Sequence, residues 1–119
     1  MMITTNRGLG ICVYIDNSNW YSTYVTENIL TFPIYKNGRL SEPSYNYTST
    51  LNNGNSLYNE WIHVSTFVGG TTWTVTLSYN GNSYTQSATV PYTGLGSVGF
   101  DEMWGASTRY VKNIKIIPL

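Results

Sequence analysis

The stretch TTWTVTLSYNGNSYTQSATV at residues 71–90 decides the fold class of this chain. Asn80-Gly81 lies at its centre, and a type I′ turn needs positive φ at both central positions, which Asn and Gly tolerate best. So short a turn sets the register of the strands it joins. Tyr79 then faces Asn82, Leu77 faces Tyr84, Val75 faces Gln86 and Trp73 faces Ala88. The other side pairs Ser78 with Ser83, Thr76 with Thr85 and Thr74 with Ser87. One side is largely apolar and the other wholly Ser and Thr. The hairpin therefore belongs to an antiparallel sheet with one face on a core.

The same reading extends outward. Residues 60–68 predict a strand with Trp61, His63, Ser65 and Phe67 opposite Ile62, Val64, Thr66 and Val68, ended by Gly69-Gly70. Residues 8–16 alternate, with Leu9, Ile11, Val13 and Ile15 on one face and Cys12, Tyr14 and Asp16 on the other. Asp16-Asn17-Ser18-Asn19 reads as a turn, and residues 20–26 have strand composition. Residues 29–35 are extended, and Pro33, which lacks a backbone donor, predicts an edge strand there. Asn37-Gly38 is a tight turn, residues 45–50 a short strand, and Asn52-Asn53-Gly54-Asn55 a loop. After Pro91 and the glycines at 94, 96 and 99, a short strand runs through Val98 and Phe100. A loop at 101–108 and a closing strand at 109–117 follow. No helix, repeat or linker is predicted. Short strands separated by turn signals predict a single all-β domain over residues 1–119, an antiparallel β-sandwich.

Composition excludes several functions. Six Lys and Arg balance six Asp and Glu, so a nucleic-acid binder relying on phosphate neutralisation is not expected. Only 10% of residues are charged, against about 25% in an average soluble protein. The 15% aromatic content argues against disorder. No apolar run is long enough for a membrane-spanning helix, so no membrane insertion is expected. An uncharged, polar, tyrosine-rich chain is typical of exported or surface-displayed β proteins. Residues 1–7 have neither a basic segment nor a long apolar one, so no secretory signal is expected. The expected location is extracellular or on a virion surface, as a processed domain, a partner of an exported chain or a virion component released by lysis. Cys12 is the only cysteine, which predicts a buried, inert thiol and no intrachain disulfide.

Several segments carry a family resemblance. Glu60-Trp61-Ile62-His63-Val64 starts a strand, the Asn80-Gly81 hairpin follows, and then come Gly96-Ser97-Val98-Gly99-Phe100 and Tyr110-Val111-Lys112-Asn113-Ile114-Lys115-Ile116. This order resembles the C-terminal half of concanavalin A-like (laminin-G-type) jelly-roll domains, over residues 58–118 and more loosely 8–25. The resemblance implies a jelly roll that binds glycans or proteins on cell surfaces or viral fibres, with a subset that hydrolyses glycosidic bonds. Family domains are usually longer than 119 residues, which implies a minimal or truncated version, or one completed by a partner chain.

Glycoside hydrolysis needs paired carboxylates. The resemblance would place them on a Glu-x-Asp-x-x-Glu strand, which is absent, and the acids Asp16, Glu27, Glu42, Glu60, Asp101 and Glu102 are scattered. A non-enzymatic protein is expected. His63 is the only histidine, which excludes a multi-histidine metal site within one chain and predicts a ring in or beside the core with Trp61 and Phe67. The Asp16–Asn19 segment could supply oxygens to calcium, but its plain reading is a turn. No metal or cofactor is expected.

The aromatics least explained by a core are Trp20, Tyr21, Tyr24 and Trp104, although Tyr21 also fits core alternation and Trp104 could plug the end of a sandwich. Aromatic rings stack on the C–H faces of sugars and also serve protein interfaces. With Asp101 and Glu102 as hydrogen-bonding partners for hydroxyls, these residues form the expected ligand site. The ladder Thr72, Thr74, Thr76, Ser78, Ser83, Thr85, Ser87 and Thr89 reads either as a solvated face or as an assembly face, since it lacks charge. An ice-binding role is disfavoured because the ladder is short and mixed with Ser. Asn46-Tyr47-Thr48 is a glycosylation sequon that matters only in an exported chain. The expected function is lectin-like surface recognition of glycan by a homo-oligomer. The alternative is a structural or decoration subunit of a virion or surface filament.

Overall fold

The structure, a computed structural model, describes residues 2–3, 9–69, 71–90, 97–102, 109–110 and 112–115. Its strands are β1 Met2–Ile3, β2 Leu9–Asp16, β3 Asn19–Val25, β4 Ile29–Thr31, β5 Ile34–Lys36, β6 Arg39–Ser41 and β7 Ser44–Asn46. After helix α1, Thr48–Asn52, come β8 His63–Gly69, β9 Thr72–Tyr79, β10 Asn82–Thr89, β11 Ser97–Glu102 and β12 Arg109–Tyr110. Every described pairing is antiparallel, and the described residues are all-β apart from α1.

The hairpin of β9 and β10 has the register its turn dictates, from Tyr79 opposite Asn82 to Trp73 opposite Ala88. Asn80 and Gly81 take φ of 48° and 82°, the left-handed region a type I′ turn requires. β8 pairs with β9 to complete a three-stranded sheet, with Val64 opposite Leu77 and Phe67 opposite Thr74. Trp73, Val75 and Leu77 are buried, so the apolar side of the hairpin is the core side.

The second sheet has seven strands, with β11, β2, β3, β4 and β7 in order and β5 and β6 continuing from β3. Here Pro33 departs from expectation. Residues 29–36 lie inside this sheet, because β4 and β5 both pair with β3 on one side and with β7 and β6 on the other. The Ser22 N–H donates to the Pro33 carbonyl at 2.9 Å, and the Phe32 N–H donates to the Pro43 carbonyl at 2.9 Å. Each rung keeps the bond that a proline can accept and loses only the one it cannot donate. Pro33, between β4 and β5, thus interrupts the ladder without forcing its segment to the edge. Pro43 instead lies between β6 and β7, which each pair on one side only among the described residues.

The two sheets share one core, as in a sandwich. Val13, Tyr21, Val25, Leu30, Phe32 and Ile34 come from the larger sheet, and Ile62, Trp73, Val75 and Leu77 from the other layer. Tyr21 meets Trp73 edge-on, with ring centroids 4.6 Å apart and planes at 87°, the geometry that aromatic quadrupoles favour. β11 returns after the three-stranded layer to lie beside β2.

Several other expectations are corrected. The strand expected at 45–50 stops at Asn46, where the side-chain oxygen accepts the Thr48 N–H at 2.9 Å and the Thr48 hydroxyl at 2.6 Å and starts α1. Thr48 and Leu51, three residues apart, are both buried, a spacing that a helical turn satisfies and a strand does not. Asn53 and Gly54, at φ of 51° and 85°, end the helix. His63 is exposed, as are Trp61 and Phe67, at 38% and 54%. Both faces of this strand carry apolar groups, and the one facing the core is that of Ile62, Val64, Thr66 and Val68. Cys12 is half-buried. Asp101 and Glu102 belong to β11, opposite Gly10 and Leu9, and not to a loop. Of the closing strand expected at 109–117, Arg109–Tyr110 are in a strand and residues 112–115 are not, while 111, 116 and 117 lie outside the described residues.

Candidate functional site

Three strand pairings assemble a row across the outer face of the larger sheet. Tyr14 on β2 faces Trp20 on β3, Trp20 faces Tyr35 on β5, and Tyr35 faces Leu40 on β6. Tyr14 and Leu40, at the two ends, are 43% and 51% exposed, while Trp20 and Tyr35 are half-buried. The Trp20 and Tyr35 rings are nearly parallel, 5.4 Å between centroids and 15° between planes, so each holds the other upright.

Two turns bring polar groups to the end of this row. Asp16 accepts the Ser18 N–H at 2.8 Å and the Asn19 amide at 3.1 Å. The Ser18 N–H, and then the Asn19 amide, lower the Asp16 pKa from its ordinary value, because both bonds favour the charged carboxylate. The carboxylate is therefore engaged as a turn former. The Asn37-Gly38 turn docks alongside, with the Gly38 N–H donating to the Ser18 carbonyl at 3.0 Å and the Asn37 N–H to the Asn19 side-chain oxygen at 3.1 Å. The Tyr14 hydroxyl donates to the Asn17 side-chain oxygen. Rings that can meet sugar C–H faces thus lie beside amide and hydroxyl groups that can bond sugar hydroxyls.

Of the residues expected at a ligand site, only Trp20 lies in this row. Tyr21 is 2% exposed and belongs to the core against Trp73. Tyr24 is 7% exposed and lies against Gly10, where an added Cβ would stand 2.8 Å from the Tyr24 ring. Neither ring is available to a ligand. Asp101 and Glu102 are placed only as residues of β11, and Trp104 lies outside the described residues. The sequence reading missed Tyr14 and Tyr35 as partners of Trp20. The Asn37-Gly38 turn already implies Tyr35 opposite Leu40, but the pairing of Trp20 with Tyr35 comes from sheet assembly.

The other outer face carries the Ser and Thr ladder. Its cross-strand rows are His63, Ser78 and Ser83; Ser65, Thr76 and Thr85; and Phe67, Thr74 and Ser87. Hydroxyl pairs bridge β9 and β10 at 3.0 Å for Thr74 with Ser87, 3.0 Å for Thr76 with Thr85 and 3.3 Å for Ser78 with Ser83. Beyond the start of β8, the Lys112 ammonium lies 4.1 Å from the Trp61 ring centroid. Among the described residues no group of three or more His, Cys, Asp and Glu is arranged to hold a metal ion. Neither a protein-family model, nor a curated protein, nor a solved structure matches this chain.

Proposed function

We propose that this chain is a non-enzymatic recognition module that binds glycan through the row Tyr14, Trp20 and Tyr35 and the polar turns beside it. The observation that carries this reading is the row itself. Trp and Tyr side chains stand partly exposed on the outer face of the sheet, next to turns rich in Asn and Ser. Exposed aromatics set in register are not needed by the core, which is filled from the opposite face. A location outside the cell or on a virion, and a minimal concanavalin A-like jelly roll, belong to the same proposal. The test is a glycan array probed with the intact chain and with Trp20→Ala. Binding that disappears in a variant of unchanged circular dichroism supports the reading. An array with no binding refutes it.

The outer face of β8, β9 and β10 favours a second reading, a structural subunit that assembles with further copies of itself. That face carries no Asp, Glu, Lys or Arg among the described residues, and the edge strand β8 exposes Phe67. Edge strands that stay monomeric usually carry charge or proline, and β8 and β10 carry neither. Sedimentation of the chain and of Ser65→Lys tests this. An oligomer dispersed by the lysine supports assembly, and a monomer at all concentrations refutes it.

A further inference from the structure

The β5–β6 hairpin carries two cations side by side at an edge of the larger sheet. Lys36 and Arg39 are direct cross-strand partners on either side of Asn37-Gly38. Like charges directly opposite one another destabilise a ladder. Two of the few charged residues of this chain meet here. Among the described residues neither makes an ion pair.

Both cations line a groove of about 410 Å³ that runs between this hairpin and the end of β10 at Thr89 and Val90. Among the described residues no acidic side chain lines it. Ile34, Leu40 and Val90 give it apolar walls, and Asn37, Ser41 and Thr89 add hydrogen-bonding groups. Lys36 and Arg39 lie on the face of the hairpin that carries Ile34, opposite to Tyr35 and Leu40. Leu40 lines the groove as well as ending the row, so groove and row meet across strand β6.

We infer that this groove receives the anionic substituent of an acidic saccharide, a sugar carboxylate or a sulfate ester, whose neutral part lies on the row. The inference rests on the glycan-binding reading and narrows its ligand class. Arg39 offers a planar fork matched to the paired oxygens of a carboxylate or sulfate, and Lys36 adds a second charge-assisted donor. Apolar walls suit the C–H face of a pyranose, and the amide and hydroxyls suit its ring substituents.

The experiment is an array of matched neutral, sialylated, uronate-containing and sulfated oligosaccharides, probed with the intact chain and with Lys36→Gln/Arg39→Gln. Calorimetric titration of the best acidic binder and its neutral counterpart follows. The acidic member should bind at least about tenfold more tightly, the scale of one charge-assisted hydrogen bond. In the double variant the ratio of acidic to neutral affinity should fall to about one, while Lys115→Gln should preserve it. High salt should lower the ratio in the intact chain. Trp20-dependent binding without acidic preference, or a preference that survives the double variant, overturns this inference and leaves the glycan reading standing. An array with no binding at all overturns both.

Discussion

Replacing Trp73 and its neighbour Thr74 separately tests the two-layer architecture, because successive residues of β9 point to opposite faces. Trp73 is 1% exposed and packs edge-on against Tyr21 of the other sheet. Truncating a buried Trp to Ala typically costs about 3–5 kcal/mol, and losing an aromatic pair adds about 1 kcal/mol. One effect opposes these. The indole Nε1 of Trp73 has no hydrogen-bond partner among the described residues, so deleting it relieves a desolvation penalty of about 1–3 kcal/mol. The net expectation for Trp73→Ala is a loss of about 3–4 kcal/mol, a large share of the roughly 5–15 kcal/mol that holds a domain folded. Trp73→Phe, which keeps a ring and removes the unpartnered donor, should lose only about 1 kcal/mol. Thr74→Ala removes an exposed hydroxyl pair with Ser87 and should lose less than about 1 kcal/mol. Urea unfolding followed by far-ultraviolet circular dichroism measures all three. If Thr74→Ala were to cost more than Trp73→Ala, the inward face of β9 would be misassigned and the shared core with it.

Other consequences are testable in the same way. Gly81→Ala places a Cβ at φ of 82° in the hairpin turn and should lose about 1 kcal/mol, read as a lower urea midpoint at unchanged slope. Trp20→Ala should cost only about 1 kcal/mol of stability, the scale of its pair with Tyr35, while abolishing glycan binding. Burial, and then the nearby Glu27 carboxylate, push the Tyr47 hydroxyl well above the ordinary value of 10.0. The folded state therefore holds this proton where the unfolded chain releases it. Its stabilising effect is complete below pH of about 10 and is lost as pH rises further. Urea midpoints measured up the alkaline range should fall more steeply in the intact chain than in Tyr47→Phe. The Asp16 carboxylate, held below its ordinary value by the Ser18 N–H, should show the opposite sign. Its contribution is present above the unfolded pKa and disappears as pH falls through the folded one, which an NMR titration of Asp16 against Asp16→Asn would follow.

Much of the candidate site is local enough to be legible. Trp20 was identifiable as an aromatic the core does not need, and the Asp16–Asn19 turn was predictable because Asx and Ser side chains bond nearby backbone groups. Tyr21 and Tyr24 were not separable from Trp20 by composition. Strand β3 is buried on both faces over most of its length, so alternation along it does not report exposure. The basic groove escaped because Thr89 and Val90 lie far along the chain from Lys36 and Arg39.

The amino-acid sequence alone determined the all-β character and the register of its hairpin. Period-two alternation and an Asn-Gly turn act over a few residues, and backbone sterics leave them little choice. Three matters waited for the tertiary structure. Pro33 lies inside a sheet because its one missing donor falls on a rung that Ser22 still satisfies from the other direction. Strand β8 turns Ile62, Val64 and Val68 inward and leaves His63, Trp61 and Phe67 outside, though both faces carry apolar groups. The row of Tyr14, Trp20, Tyr35 and Leu40 exists only once β2, β3, β5 and β6 lie side by side. Alternation supplies a strand with two faces. The face that meets the core is chosen by the opposing layer, where Tyr21 and Trp73 interlock.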